Sequence, residues 1–343
     1  MQYNDREGEW RSRESGNTFE GTVLEKSRVM LRGVEGGSVD EAVGDILSFC
    51  GAESRIRSDS RVLVKPNLCT ERPEMIETAN TSIEVIESVV RHLRDITGHV
   101  CICESDGARY TVEQAYENNG IYPLIESYGI EAVNFSREEQ VWVENGHIGR
   151  WSFARRFLES DAFITLPTLK THATTVFTGS LKNQWGCVPR CDRLIWHKHL
   201  SELLCDIAEL VPPAMSIMDG IVGMQGRGPI NGYPINANVL AGGSDQVAVD
   251  AVSMRLIHLD PYSSEHVRMA AERGIGRIAE DEIEIEGDFE KYSVEVEPAR
   301  EDWAIKLLNL LSRSEFVTKY FIMNNHTFYP VRKAVIVLRR LIG

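Results

Sequence analysis

Between Thr165 and His199 the chain gathers side chains able to hold an anion, move a proton or bind a metal. Nine lysines occur among the 37 basic residues, yet Lys170, Lys182 and Lys198 fall within 29 consecutive positions. His172, His197 and His199 lie in the same stretch, and Asn183 follows Lys182. Imidazole titrates near neutrality and burial readily retunes a lysine amine, so this cluster suits anion binding, acid–base work and metal ligation. The bland alternative is a solvated basic loop, against which stand the flanking Trp185, Trp196 and prolines. We expect His172, Lys182 and Lys170 to form the catalytic group, with the lysines on an anion and His172 as acid/base.

Cys187 and Cys191, four apart and near His197 and His199, form a candidate soft-metal set for zinc or an iron-sulfur cluster. The same spacing also occurs among structural cysteines. The seven cysteines are odd in number and contain no C-x-x-C pair, which argues against a disulfide framework.

These residues need elements to position them. A short apolar run, Arg61 to Asn67, precedes a polar loop and a helix-period stretch from Thr81 to Ile96. The pattern recurs as His99 to Asp106 followed by a helix from Thr111 to Tyr128, with further strands at Ile130–Phe135 and Asp161–Pro167. Strand, loop and helix repeated in this way predict an α/β fold: a mostly parallel sheet with helices on both faces. Ligands of such sheets bind beyond the carboxyl ends of the strands, which nominates Lys65, Asn67, Asp106 and Asp219 as substrate-binding residues beside Asn183.

A helix from His199 to Leu210 and a strand from Ala214 to Asp219 follow, then a glycine-rich loop from Gly220 to Gly232. That loop reads either as a phosphate cradle or as a plain mobile connection. Asp250 interrupts the apolar face of a helix over Asp245–His258. It is expected to be half-buried and paired, for structure or to orient a basic residue of the site.

Residues 1–20 read as a disordered tail, 21–300 as the α/β domain in one or two lobes, and 301–343 as a long helical, basic C-terminal tail that lies either on an anionic membrane or packed on the domain. A formal charge of −14 excludes nucleic acid as the partner, because phosphate contacts require a positive surface. No signal-length apolar core begins the chain and no apolar run is long enough to span a bilayer, so the expected location is the cytoplasm.

The motifs VLVKPNL, LPTLKTH, GSLKNQWG, MDGIVGMQGRGP and VAVDAV, in this order, resemble the uncharacterised domain-of-unknown-function family 362 from about Arg61 to Pro261. Some members of that family carry a ferredoxin-like iron-sulfur module, whose cysteine-rich repeats are missing here. The Lys-and-His arrangement also distantly resembles the nickel-pincer lactate racemase family, in which a lysine tethers a nicotinate-derived cofactor and a histidine ligates nickel. That resemblance implies Lys182 as tether, His197 or His199 as nickel ligand and His172 as acid/base. A further histidine of the pattern would fall near Asp106, where the nearest in this sequence is His99. Two readings stay open: an enzyme, isomerase or oxidoreductase, acting on a small anionic metabolite, or a metal- or iron-sulfur-binding accessory protein without turnover.

Overall fold

Runs such as Val62-Leu-Val and Val100-Cys-Ile-Cys place apolar side chains on both faces of an extended chain, so they are buried only between two layers. In the computed structural model, which describes residues 2–4, 9–11, 25–34, 38–108, 110–145, 149–230, 232–299 and 303–322, they are central strands of an 11-stranded sheet. Its main strands are β1 (Ser27–Gly33), β2 (Val62–Pro66), β3 (Val100–Glu104), β4 (Glu131–Asn134), β5 (Ala162–Leu166), β6 (Thr168–His172), β7 (Met215–Gln225), β8 (Val239–Gly243) and β9 (Ile283–Glu286).

The spatial order is β9-β1-β8-β7-β5-β2-β3-β4, with β6 pairing alongside β7. Strands β7, β5, β2, β3 and β4 are mutually parallel, as the sequence predicts, whereas β8 runs antiparallel to both β7 and β1. The chain lays down β2, β3 and β4 outward to one edge, then returns to the opposite side of β2 as β5 and continues to β7. The loops leaving β2 and β5 therefore part, and a crevice opens between their carboxyl ends.

Alternation along the strands sorts two cores. Val62, Val64, Ile102 and Ile164 face helices α1 (Val39–Phe49) and α2 (Ile83–Ile96), which bury Val43, Ile46, Val89 and Leu93. Leu63, Cys103 and Phe163 face the other way, toward Phe157 and helix α4 (Leu200–Leu210), which follows the short α3 (Ser180–Asn183) and buries Leu203 and Ile207. A third cluster joins β1, β7 and β8 to helix α5 (Gln246–Leu256), where Val247, Ala251 and Met254 are fully buried.

Three expectations change. The helix predicted over Thr111–Tyr128 is two, Val112–Asn118 and Ile121–Tyr128. Buried Asn119 marks the break: its side-chain amide donates to the Ala115 carbonyl at 2.6 Å and its oxygen accepts from Asn80 at 2.9 Å. The glycine-rich loop predicted from Gly220 is for half its length strand, since β7 runs unbroken to Gln225. Gly223 sits against β6, where a Cβ would meet the Leu169 carbonyl oxygen at 2.4 Å, so its glycine serves close packing of two chains and not a phosphate. Finally, the antiparallel hairpin Gln140–Asn145 with Gly149–Ala154 was not foreseen, and its Val143, Trp151 and Phe153 close the core around Phe157 and Phe163.

Of the predicted N-terminal tail, Gln2–Asn4 and Glu9–Arg11 are short strands added to that hairpin, and the rest lies outside the described residues. Of the C-terminal tail, a helix over Trp303–Ser312 and short turns to Ile322 are described, whereas Arg332, Lys333, Arg339 and Arg340 lie outside. No helix among the described residues is long and apolar enough to cross a membrane.

Ile164, paired with Val64 on one side and Met215 on the other, has no exposed surface. Ile164→Ala should lower unfolding free energy by about 2–5 kcal/mol in urea titration, through lost burial and the cavity left behind. A change below about 0.5 kcal/mol would contradict this placement at the centre of the sheet.

Candidate functional site

The crevice between β2 and β5 holds a cavity of about 120 Å³, far above the ~10–15 Å³ that one water needs. Lys65, Asn67, Cys69, Lys170, Lys182 and Asn183 line it, together with Glu104, Tyr110, Trp185 and Arg193. Five of the predicted site residues, Lys65, Asn67, Lys170, Lys182 and Asn183, thus converge from three separate segments of chain.

Lys65 ends β2 and Glu104 ends β3, next to each other in the sheet, and both are almost fully buried. The Lys65 ammonium hydrogen-bonds the Glu104 carboxylate and donates to the Pro66 carbonyl at 2.8 Å. Gly186 lies over this pair: a Cβ there would stand 2.2 Å from Glu104 Oε1 and 2.6 Å from Lys65 Cε, so no larger residue fits. Asn183 donates from one amide nitrogen to the Lys65 carbonyl at 3.0 Å and to Thr165 Oγ1 at 2.9 Å, which bridges β2 and β5 and leaves its oxygen free as an acceptor.

Lys170, on β6, is 1% exposed. Its ammonium donates to the Ala79 carbonyl at 2.5 Å and to Cys69 Sγ at 3.4 Å, and burial lowers its pKa. Lys182 differs from both: it makes no hydrogen bond or ion pair with any described residue. Burial, then the charge of Lys170, bring it down to about 8. It rides on the short helix α3 (Ser180–Asn183), whose first amides, those of Ser180 and Leu181, donate to the Asp250 carboxylate at 2.6 and 3.1 Å. Asp250 is therefore fully buried, not half-buried as expected, and it fixes the turn that carries Lys182.

The histidines stand outside the cavity lining. His172 Nδ1 accepts from the amides of Thr174 and Thr175 at 3.0 and 3.2 Å, which closes the turn from β6 into Val176, a β-branched residue held at φ 67°. Burial, with Lys182 as the first charge contributing, keeps His172 well below its ordinary pKa, and the same two causes bring His197 to about 3. His197 stacks beside Trp185, with ring centroids 6.2 Å apart. The imidazoles are thus neutral at pH 7.

Other predicted residues are engaged elsewhere. Asp106 caps the helix Val112–Asn118, accepting from the Val112 amide and the Asn134 side chain, both at 2.9 Å. Asp219 accepts from the amides of Ser82 and Ile221 at 2.7 and 3.0 Å and so anchors the start of α2. Neither carboxylate lines the cavity. The metal set is not gathered: Cys187 is buried with its thiol pushed up to about 12, Cys191 is exposed, and His199 precedes α4. Among the described residues no group of three or more His, Cys, Asp or Glu could hold a metal ion. Of the residues that the pincer resemblance assigns, Lys182 alone lines the cavity, so the arrangement does not fit that cofactor and no step is assigned to one.

Four participants escaped the sequence reading. Cys69 and Tyr110 come from loops, and Tyr110 is pinned by a 2.7 Å hydrogen bond to the Leu68 carbonyl. Arg193 donates to Ser105 Oγ at 2.8 Å and to the Asp106 and Val188 carbonyls. His266, buried behind the site with Nε2 unpartnered, is lowered to about 3 by burial and the charge of Lys182. Only the motif GSLKNQWG carried a signal, in that its last glycine is Gly186.

Comparison with known proteins places these features. A family model described as a domain of unknown function, DUF362, matches residues 62–255. A thylakoid-associated protein of Synechocystis sp. is 30% identical over 262 residues, covering 73% of this chain and 80% of that protein. The lactate racemase apoprotein of Thermoanaerobacterium thermosaccharolyticum shows a likeness with TM-score 0.38 and 12% identity, over 65% of this chain and 55% of that one, too slight to carry an argument.

Burial raises the Asp250 carboxyl from 3.8 to about 7. Its protonation then favours the folded chain, a contribution complete below pH 3.8 and lost as pH rises through about 7. Asp250→Asn should flatten the fall in urea-unfolding free energy between about pH 4 and about pH 7. An unchanged pH slope in the variant would show that Asp250 is not its source.

Proposed function

The chain belongs to the DUF362 family, and we propose that it is an enzyme of that family, acting on a small anionic metabolite held between β2, β6 and α3. One observation carries this reading. Three of the nine lysines, together with Arg193, share a cavity with a single carboxylate, Glu104, in a chain whose net charge is −14.

The groups divide the work. Lys65 is matched by Glu104, so it shapes the floor and adds little net charge. Lys170 is partly satisfied by the Ala79 carbonyl, and Lys182 is the open cation. An anion there meets charge-assisted donors in a site of low dielectric, where such bonds are strongest. The Asn183 oxygen supplies an acceptor for a hydroxyl or amine of the same ligand. His172, the expected acid/base, does not line the cavity, and burial with the charge of Lys182 keeps it neutral.

The basic C-terminal segment supports a second, compatible property: peripheral contact with an anionic membrane. Leu307, Leu310 and Phe316 are 44%, 61% and 63% exposed near Lys306 and Arg313, and the relative from Synechocystis is thylakoid-associated.

Calorimetry with phosphate, oxalate and pyruvate should show binding of at least one anion at pH 7. Lys182→Ala should weaken it about 10- to 100-fold, the equivalent of ~1.5–3 kcal/mol for a charged hydrogen bond. Affinity should fall as pH rises through about 8, where Lys182 loses its proton, and Lys198→Ala, on the surface, should leave it unchanged. Equal binding by the wild type and Lys182→Ala would end the reading. For the tail, co-sedimentation with phosphatidylglycerol vesicles should be lost on deleting residues 303–343, and binding that survives deletion would assign the contact elsewhere.

A further inference from the structure

We propose that Lys182 is a Schiff-base nucleophile whose amine condenses with the carbonyl of a small 2-oxo acid, while Lys170 and Arg193 hold the adjacent carboxylate. The inference rests on the anion-binding reading above and deepens it by naming the substrate class.

Of the three cavity lysines, two have their ammonium groups engaged, Lys65 by Glu104 and Pro66, Lys170 by Ala79 and Cys69. Lys182 alone faces the cavity without a partner among the described residues, so its nitrogen lone pair is available once the proton leaves. Lys182 is half-buried beside a second cation, and partial removal from water next to another positive charge is the arrangement that makes an amine nucleophilic near neutrality. At a pKa of about 8, roughly a tenth of Lys182 is neutral at pH 7, against about one part in three thousand for an ordinary lysine. Placement is fixed as well: Asp250 holds the turn under Lys182 by two backbone amides, and Asn183, next in the chain, ties it to β2 and β5. Lys170 and Arg193 are the further cations near Lys182 in the same cavity, which supplies a carboxylate site beside the reacting amine.

The condensation balances with groups on hand. The neutral Lys182 nitrogen forms a bond to the carbonyl carbon as the C=O π pair moves to oxygen. That oxygen receives one proton from the attacking nitrogen and one from the Lys170 ammonium, then leaves as water. The nitrogen keeps one hydrogen as a protonated imine, and solvent returns the proton to Lys170. No oxidant or reductant is needed.

The test is trapping with sodium cyanoborohydride in the presence of pyruvate, glyoxylate or 2-oxoglutarate, followed by peptide mass spectrometry, with calorimetry on the same samples. The expected result is a reduced secondary amine on Lys182 from at least one of these acids. Lys182→Arg, which keeps the cation, should bind that acid and give no adduct, and Lys182→Gln should likewise give none. Binding without trapping, or adducts on exposed Lys198 at the level seen on Lys182, would overturn the imine while leaving the anion site standing. If phosphate or oxalate binds and none of the three 2-oxo acids does, the substrate class is wrong. If no anion of either set binds, both readings fall together.

Discussion

The buried pair of Lys65 and Glu104 is the interaction on which the site depends. It joins the carboxyl ends of two neighbouring strands, where both charges are removed from water, and it is tolerable only because each group finds its opposite and a backbone partner. The segment from Asn183 to Val188 folds over it: Gly186 packs on the pair, Ser105 donates to the Gly186 carbonyl, and Asn183 reaches the Lys65 carbonyl. Lys182 is placed because this segment is. A hydrophobic replacement of the pair could be as stable in principle, but it would remove the feature that orients the segment.

Much of the fold was legible in the sequence because it is written in short-range pattern. Continuous apolar runs in Val62–Val64 and Val100–Cys103 announced strands buried on both faces, and the repeat of strand, loop and helix announced their parallel order. From that order the rule about strand ends led directly to Lys65, Asn67 and the lysines after β5. What escaped was decided by contacts across long separations. Asp106 follows the end of β3 as expected, whereas Asp219 lies inside β7 and not at its end, and in both cases amides at the starts of helices, Val112–Asn118 and α2, claim the carboxylate. No local pattern distinguishes a carboxylate that faces a ligand from one that caps a helix. The participation of Cys69 and Arg193 likewise follows from partners tens of residues away, Lys170 for the first and Ser105 for the second.

Electrostatics give the site an unusual division. Burial keeps His172, His197 and His266 neutral, and Lys182 contributes to lowering each of them. The lysines carry the positive charge and the imidazoles form an uncharged layer behind them. A ligand anion in front of Lys182 is therefore met by lysine and arginine charge, while His172 serves the turn that follows Lys170.

Strand β7 bears on how this cavity can change shape. It is hydrogen-bonded to β5, β6 and β8 and to the short strand Tyr233–Ile235, and its packing against β6 leaves no room for a side chain at Gly223. It acts as a keel: Lys170 is carried on a strand that cannot slide without breaking ladders on both sides. Cys69 and Arg193, by contrast, reach the cavity from segments outside the sheet. The loops thus bound what the cavity admits, while the sheet fixes where a ligand meets Lys65 and Lys170.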